Sequence, residues 1–300
     1  MLKNIPAVTR NLLLINIIAF FGCILYGTSP RGGYLMNEML GLHFFMASEF
    51  HLYQLFTYMF MHASFEHLFF NMFALWMFGC IVERAWGPKR YLFYYLFCGI
   101  GAGLMQELAQ FFSVYASFSE TATLSLGQAV SAMHHNADLL NGLTTVGASG
   151  AIYAILLAFG MIFPNERIFI FPLPVPIKAK YFVIGYAVLE LLMAFNSRGD
   201  GVAHLAHLGG MLFGFFLIRY WQKQLQDQYR QFTNETLFRP RQNKWHTSTT
   251  QSQEPSKHTE TTTSQRTNQA EIDAILDKIR RSGYESLTYE EKQKLFEHRQ

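Results

Sequence analysis

Between residues 11 and 221 the chain returns repeatedly to long apolar runs, and this restricts its fold more than any other feature. The runs fall at about 11–27, 67–83, 91–112, 149–163, 180–196 and 204–221. Such segments read as membrane spans, and in hydrocarbon the backbone must satisfy its own polar groups. The sequence therefore predicts an all-α polytopic membrane protein with six transmembrane helices. Residues 1–221 form the expected membrane domain, 222–268 a polar and largely disordered linker, and 269–300 a small helical hairpin.

Charge orients the spans. Lys3 and Arg10, then Arg84, Lys89 and Arg90, then Arg167, Lys178 and Lys180, then Arg219 and Lys223 fall on one side of the alternating loops, against Arg31 and Arg198 on the other. By the positive-inside bias both termini are cytoplasmic and the fourth span begins near the outer face. The outer loops 28–66 and 113–148 are too long for simple connections, and part of the first is expected at the membrane interface. The first run lacks a small-residue cleavage site and is followed by further spans, so it reads as a retained helix. The net charge of +3 gives no basic stripe, which argues against a nucleic-acid partner. Cys23, Cys80 and Cys98 all sit in apolar segments, as small buried hydrophobes do.

The chemistry gathers at Gly147-Ala148-Ser149-Gly150, which opens the fourth run. Ser149 to Phe163 is roughly 15 residues, or about 22 Å at 1.5 Å per residue, against a hydrocarbon core of about 30 Å. Ser149 is thus expected below one membrane surface, in a cavity that admits water. On the second span His67 and Asn71 are four residues apart and share a face. On the last span His207 stands above Gly210 and Gly214, a small-residue groove that lets another helix approach, with the Gly150 end of the fourth span as its natural neighbour. His207 would then meet Ser149, while His204, one turn further out, is placed for a watery mouth and is the lesser candidate for the base. Glu83-Arg84-Ala85-Trp86 reads as an ion pair with an aromatic anchor.

Amide hydrolysis needs an activated nucleophile, a base that later protonates the leaving amine, and donors for the developing oxyanion. Ser149, His207, and His67 with Asn71 can fill those roles. Glu107 and Glu190 lie toward span ends, so a Ser-His dyad without a third acidic member is expected. Glu66-His67 lacks the His-Glu-x-x-His spacing of a zinc protease, so no metal or cofactor is expected.

In these motifs the chain resembles the rhomboid intramembrane serine proteases over about residues 8–221. The family's Gly-x-Ser-Gly matches Gly147 to Gly150, its His-x-x-x-Asn matches His67 and Asn71, and its Ala-His-x-x-Gly-x-x-x-Gly matches Ala206, His207, Gly210 and Gly214. The resemblance implies that Ser149 is the nucleophile, that His207 is the base, that His67, Asn71 and the Ser149 backbone N–H bind the oxyanion, and that Tyr153 stacks on the catalytic imidazole. It further implies transmembrane or membrane-proximal protein segments as substrates. The Trp-Arg pair that many members carry in the first outer loop is here Tyr53-Gln54. Alternatives of another class are a catalytically silent rhomboid-like binder of membrane proteins and a transporter with a histidine proton relay. His134 and His135 read as solvated loop residues.

In the tail, 243–268 is rich in Thr, Ser and Gln and is expected to be disordered. Ile272, Ile275, Leu276 and Ile279 then recur at helical spacing, Gly283 breaks the helix, and Thr288-x-x-Glu291 forms a capping box for a second helix. So few apolar residues make a marginal unit: the hairpin either docks on a cytoplasmic partner or the membrane, or stays a weakly helical tail.

Overall fold

The computed structural model describes residues 5–30, 32–121, 125–169, 176–196, 203–238, 271–279, 286–288, 290–291 and 293–294. Arg31, Arg198, Gly283 and the stretch 243–268 lie outside them. The chain divides into two units, Met1–Phe238 and Arg239–Gln300.

The first unit is helical. Its elements are α1 (Ala7–Tyr26), α2 (Leu35–Leu40), β1 (Leu42–His43), α3 (Gln54–Thr57), α4 (Phe65–Ala74), α5 (Cys80–Trp86), α6 (Pro88–Thr121), α7 (Leu126–His135), β2 (Thr144–Thr145), α8 (Ser149–Ile162), β3 (Arg167–Phe169), β4 (Pro176–Lys178), α9 (Ala179–Asn196) and α10 (His204–Phe238). A π-helical turn, Leu75–Gly79, joins α4 to α5 in one rod. A helix stands in each of the six intervals read as spans. Among the described residues three are both long and apolar enough to cross a membrane: Ala7–Tyr26, Phe65–Trp86 and Pro88–Phe118.

α8 is the central rod. Ala151, Ala154, Ile155 and Ala158 are buried around it, packed by α6, α9, α10 and the α4–α5 rod. Its shortness follows from its composition: the apolar run ends at Phe163, before Pro164-Asn165-Glu166, and its 14 residues span about 21 Å. Outward faces carry large apolar side chains instead of charge, such as Ile18, Phe21 and Leu25 on α1, Phe69 and Phe70 on α4, and Ile184, Leu192 and Phe195 on α9. Such a surface suits lipid rather than water.

Four differences from the sequence expectation follow. α6 continues past 112 to Thr121, because Phe111, Val114, Tyr115 and Phe118 recur at helical spacing and pack on a satellite core of Phe44, Ala47, Met133 and Leu140. The segment after it, up to α8, is correspondingly shorter and holds α7, whose last turn carries the exposed His134 and His135, so these are helical rather than loop residues. α10 likewise runs on to Phe238, into the interval read as linker. Finally, Glu83, expected as half of an ion pair, is the buried N-terminal cap of α1: its carboxylate accepts from the Val8 and Thr9 backbone N–H groups at 2.9 and 2.7 Å and from the Thr9 hydroxyl at 2.7 Å. Trp86 packs edge-on against Trp221, and the Arg90 guanidinium lies 4.6 Å above that same Trp221 ring.

The segment between α2 and α4 is held by Gln54. Its Oε1 accepts from the His51 N–H at 3.0 Å and its Nε2 donates to the Glu49 carbonyl at 3.0 Å, with the residue 1% exposed. β1 pairs antiparallel with β2, joining this segment to the strand that leads to Ser149.

In the second unit, 271–279 is helical, with Ile275 and Leu287 buried. The capping box is formed in both directions: Thr288 N–H donates to Glu291 Oε2 at 2.7 Å and Glu291 N–H donates to Thr288 Oγ1 at 3.3 Å. Lys278 pairs with Glu291 and Lys294 with Glu271, each at 2.8 Å.

Candidate active site

Ser149 is the first residue of α8, so its backbone N–H is one of the helix's unpaired amino-terminal donors. Gly147 delivers the chain to that point with a φ of 132°, a conformation L side chains rarely adopt, and its N–H is anchored to the Tyr58 carbonyl at 2.9 Å. A side chain there would also strike the His67 ring, since a Cβ on Gly147 would stand 2.8 Å from His67 Cε1 and Nε2 and 3.6 Å from Ser149 Oγ. Gly147, His67 and Ser149 therefore enclose one small volume.

α10 brings His207 to it. A Cβ on Gly210 would overlap the Gly150 carbonyl oxygen and lie 3.3 Å from Gly150 Cα, so the backbones of α10 and α8 touch there. Gly214 leaves room for the Tyr94 hydroxyl, which donates to the Ala154 carbonyl at 2.8 Å. With that register set, His207 Nε2 is 2.7 Å from Ser149 Oγ. The Tyr153 ring lies parallel to the imidazole, with centroids 4.3 Å apart and planes 6° from parallel.

The expectation that no acid stands beside the histidine fails. Glu190 on α9 is 4% exposed and faces inward, and its Oε2 is 2.9 Å from His207 Nδ1 and 2.7 Å from His204 Nδ1. Its Oε1 accepts from the Tyr153 hydroxyl. A carboxylate offers acceptors only, so both imidazoles present Nδ1–H to it. Nε2 of His207 is then left as the acceptor for the Ser149 hydroxyl. His204, expected in a watery mouth, is buried at 6% exposed and shares the carboxylate with His207. The missed signal was chemical: Glu190 is the sole acid in α9, and an inward carboxyl in an apolar helix must find donors.

His67 shows the opposite tautomer. The Ala63 N–H donates to its Nδ1 in a long 3.5 Å bond, which places the imidazole proton on Nε2, the atom beside Gly147. Asn71 is buried and donates one N–H of its amide to the His67 carbonyl at 2.8 Å. An amide carries two N–H groups, so this bond uses half of its donor capacity. Glu190, His204 and His207 also place three potential metal-ligand atoms within 4.8 Å of one another, and in this arrangement those atoms are joined by hydrogen bonds.

A helical membrane scaffold carrying a hydrogen-bonded Ser-His pair at the start of a short buried helix has the composition of a serine-hydrolase site. The Rhomboid domain profile matches residues 49–223, and the chain belongs to the rhomboid family, as an integral membrane protein. It is 30% identical over 218 residues to the rhomboid protease AarA of Providencia stuartii, covering 69% of this chain and 70% of that protein. It is 27% identical over 176 residues to the mitochondrial Rhomboid protein 1 of Saccharomyces cerevisiae, covering 56% and 42% respectively. With the rhomboid protease GluP of Bacillus subtilis the identity is 28% over 168 residues, covering 55% of this chain and 25% of that one. The match thus spans less than half of the latter two relatives. Residues 259–300 match a family of unknown function, DUF6576.

Proposed function

We propose that the protein is an intramembrane serine endopeptidase that cleaves transmembrane or membrane-proximal segments of other membrane proteins. The observation that carries this reading is the 2.7 Å bond between Ser149 Oγ and His207 Nε2, with Nε2 left as the acceptor. Ser149 Oγ attacks the scissile carbonyl as His207 Nε2 takes its proton. The carbonyl electrons move onto oxygen, where the Ser149 backbone N–H, His67 Nε2–H and the remaining Asn71 N–H are the donors at hand. Collapse breaks the C–N bond, and the proton on Nε2 passes to the leaving amine. Water, activated by the same imidazole, then hydrolyses the ester and restores Ser149. Gly150 and Gly210 serve by keeping backbones close, Gly147 by its positive φ and the room it leaves for the His67 ring, Gly214 by the room it leaves for the Tyr94 hydroxyl, and Tyr153 by holding the imidazole plane.

In this reading the six helices at the apolar intervals are the transmembrane helices, with α8 beginning below one surface, both termini are cytoplasmic, and the substrate reaches Ser149 from the outer half of the membrane. The tail is a cytoplasmic module for a partner, apart from the chemistry. A serine-directed fluorophosphonate tests the reading. Labelling at Ser149, lost in Ser149→Ala and His207→Ala, together with cleavage of a transmembrane substrate, is expected of the protease. An unlabelled, folded protein that still binds membrane proteins would be the silent binder.

A further inference from the structure

A carboxyl group buried on an apolar helix is costly, and Glu190 is the one acid that α9 carries. Its two oxygens collect three donors from two other helices: Tyr153 on α8, and His204 and His207 on α10. We propose that Glu190 is a positioning residue for the Ser149–His207 pair, making it functionally a Ser149–His207–Glu190 triad. This deepens the protease reading and rests on it.

The chemistry turns on tautomers. A neutral imidazole donates from one nitrogen and accepts at the other. With the proton on Nε2, His207 would donate to Ser149 Oγ and could not serve as its base. The Glu190 oxygen at 2.9 Å from Nδ1 selects the tautomer with Nε2 unprotonated. During attack the Oγ proton moves to Nε2, so the ring of the buried His207 gains a positive charge. The carboxylate already beside Nδ1 balances that charge, while the Nδ1 proton stays on His207 throughout. His204 and Tyr153 complete the arrangement. They donate to Oε2 and Oε1 respectively, so the carboxylate is held from three sides, and Tyr153 fixes the imidazole plane with its face while gripping Glu190 with its hydroxyl. One acid thus couples the orientation of α8, α9 and α10 to the base.

The test uses the whole 300-residue chain in detergent micelles, with a transmembrane substrate, fluorophosphonate labelling, and 15N NMR of histidine-labelled enzyme. Glu190→Gln keeps the shape and replaces an acceptor oxygen with an amide. Its kcat is expected to fall by about 10²- to 10⁴-fold, the scale on which the wrong tautomer acts in serine proteases, with KM changed by no more than about threefold. Glu190→Asp keeps the charge and should recover at least about tenfold over Gln. In the spectra, the His207 signals, assigned by their loss in His207→Ala, should read Nδ1–H in the wild type and move to Nε2–H in Glu190→Gln. Should Glu190→Gln fail to fold, the wild-type spectrum and the Asp variant still decide. A wild-type His207 protonated at Nε2, or a Gln variant that loses thermal stability while keeping kcat within about threefold, would overturn the proposal and leave the protease reading intact. A wild-type protein that neither cleaves nor labels would overturn both.

Discussion

At the scale of residues, the division of labour between His67 and His207 follows from which nitrogen each keeps unprotonated. His207 turns an acceptor toward Ser149, whereas His67 turns a donor toward the same volume. Replacing His67 or Asn71 by alanine is therefore expected to lower turnover by roughly 10²-fold, the scale of one lost oxyanion donor, while labelling of Ser149 falls less. Steady-state kinetics beside thermal melts separate this from packing: unchanged turnover with a lowered melting temperature would make both residues structural. Much of this site is legible in the sequence. A serine between glycines, a His-x-x-x-Asn on one helical face and a histidine above small residues are local patterns that survive without knowledge of the fold. Glu190 is only half legible: as the sole acid of an apolar helix it must find donors, but which ones is hidden, because its partners lie on two other helices. The misplacing of His204 has the same origin: distance from His207 along α10 is not distance from the chemistry, since one carboxylate reaches both.

At the scale of elements, the active geometry depends on close backbone contacts, and the glycines differ sharply in what they can tolerate. Even a methyl group on Gly210 would run into the Gly150 carbonyl, so Gly210→Ala and Gly210→Val should both push α10 from α8, with a loss of about 10²-fold in turnover for a displacement near 1 Å. On α9, by contrast, a methyl group at Gly185 would meet nothing within 4 Å, and Gly185→Ala is expected to leave turnover intact, which makes it the matched control. Glu83→Ala should act on stability rather than on chemistry. It leaves the Val8 and Thr9 N–H groups without their acceptor, at a cost of about 1–3 kcal/mol, and a melt combined with Ser149 labelling of the folded fraction would show a lower melting temperature with normal reactivity. Helix existence is readable from hydropathy, but helix ends are not. α6 outlasts its apolar run because its last turns bury an amphipathic stripe against Phe44 and Met133, and α10 outlasts its own run as a polar helix. A hydropathy scan registers neither.

At the scale of the whole molecule, the chain joins a membrane unit that holds every proposed catalytic group to a separate tail with its own small core. Within the tail, the Lys278 ammonium, with the Thr288 N–H, draws the Glu291 carboxyl below its usual range. A lowered carboxyl favours the folded tail fully above the ordinary carboxylate pKa, and that support is lost as pH falls from there through the lowered folded-state value. The protection of residues 271–294 in the whole chain, taken as the observed hydrogen-exchange rate relative to the intrinsic rate at each pH, should therefore fall on acidification, and Glu291→Gln should remove most of that pH dependence. Deleting residues 243–300 should leave cleavage of a transmembrane substrate in detergent largely unchanged, since no group of the site comes from the tail. The most direct measurement is cleavage of that substrate by wild type, Ser149→Ala, His207→Ala and the double variant, with insertion and folding verified for each. If Ser149 and His207 act as one unit, each single variant abolishes cleavage and the double is no worse than either. Cleavage that persists in folded Ser149→Ala, or that survives in His207→Ala, would contradict the assignment of the nucleophile or of its base.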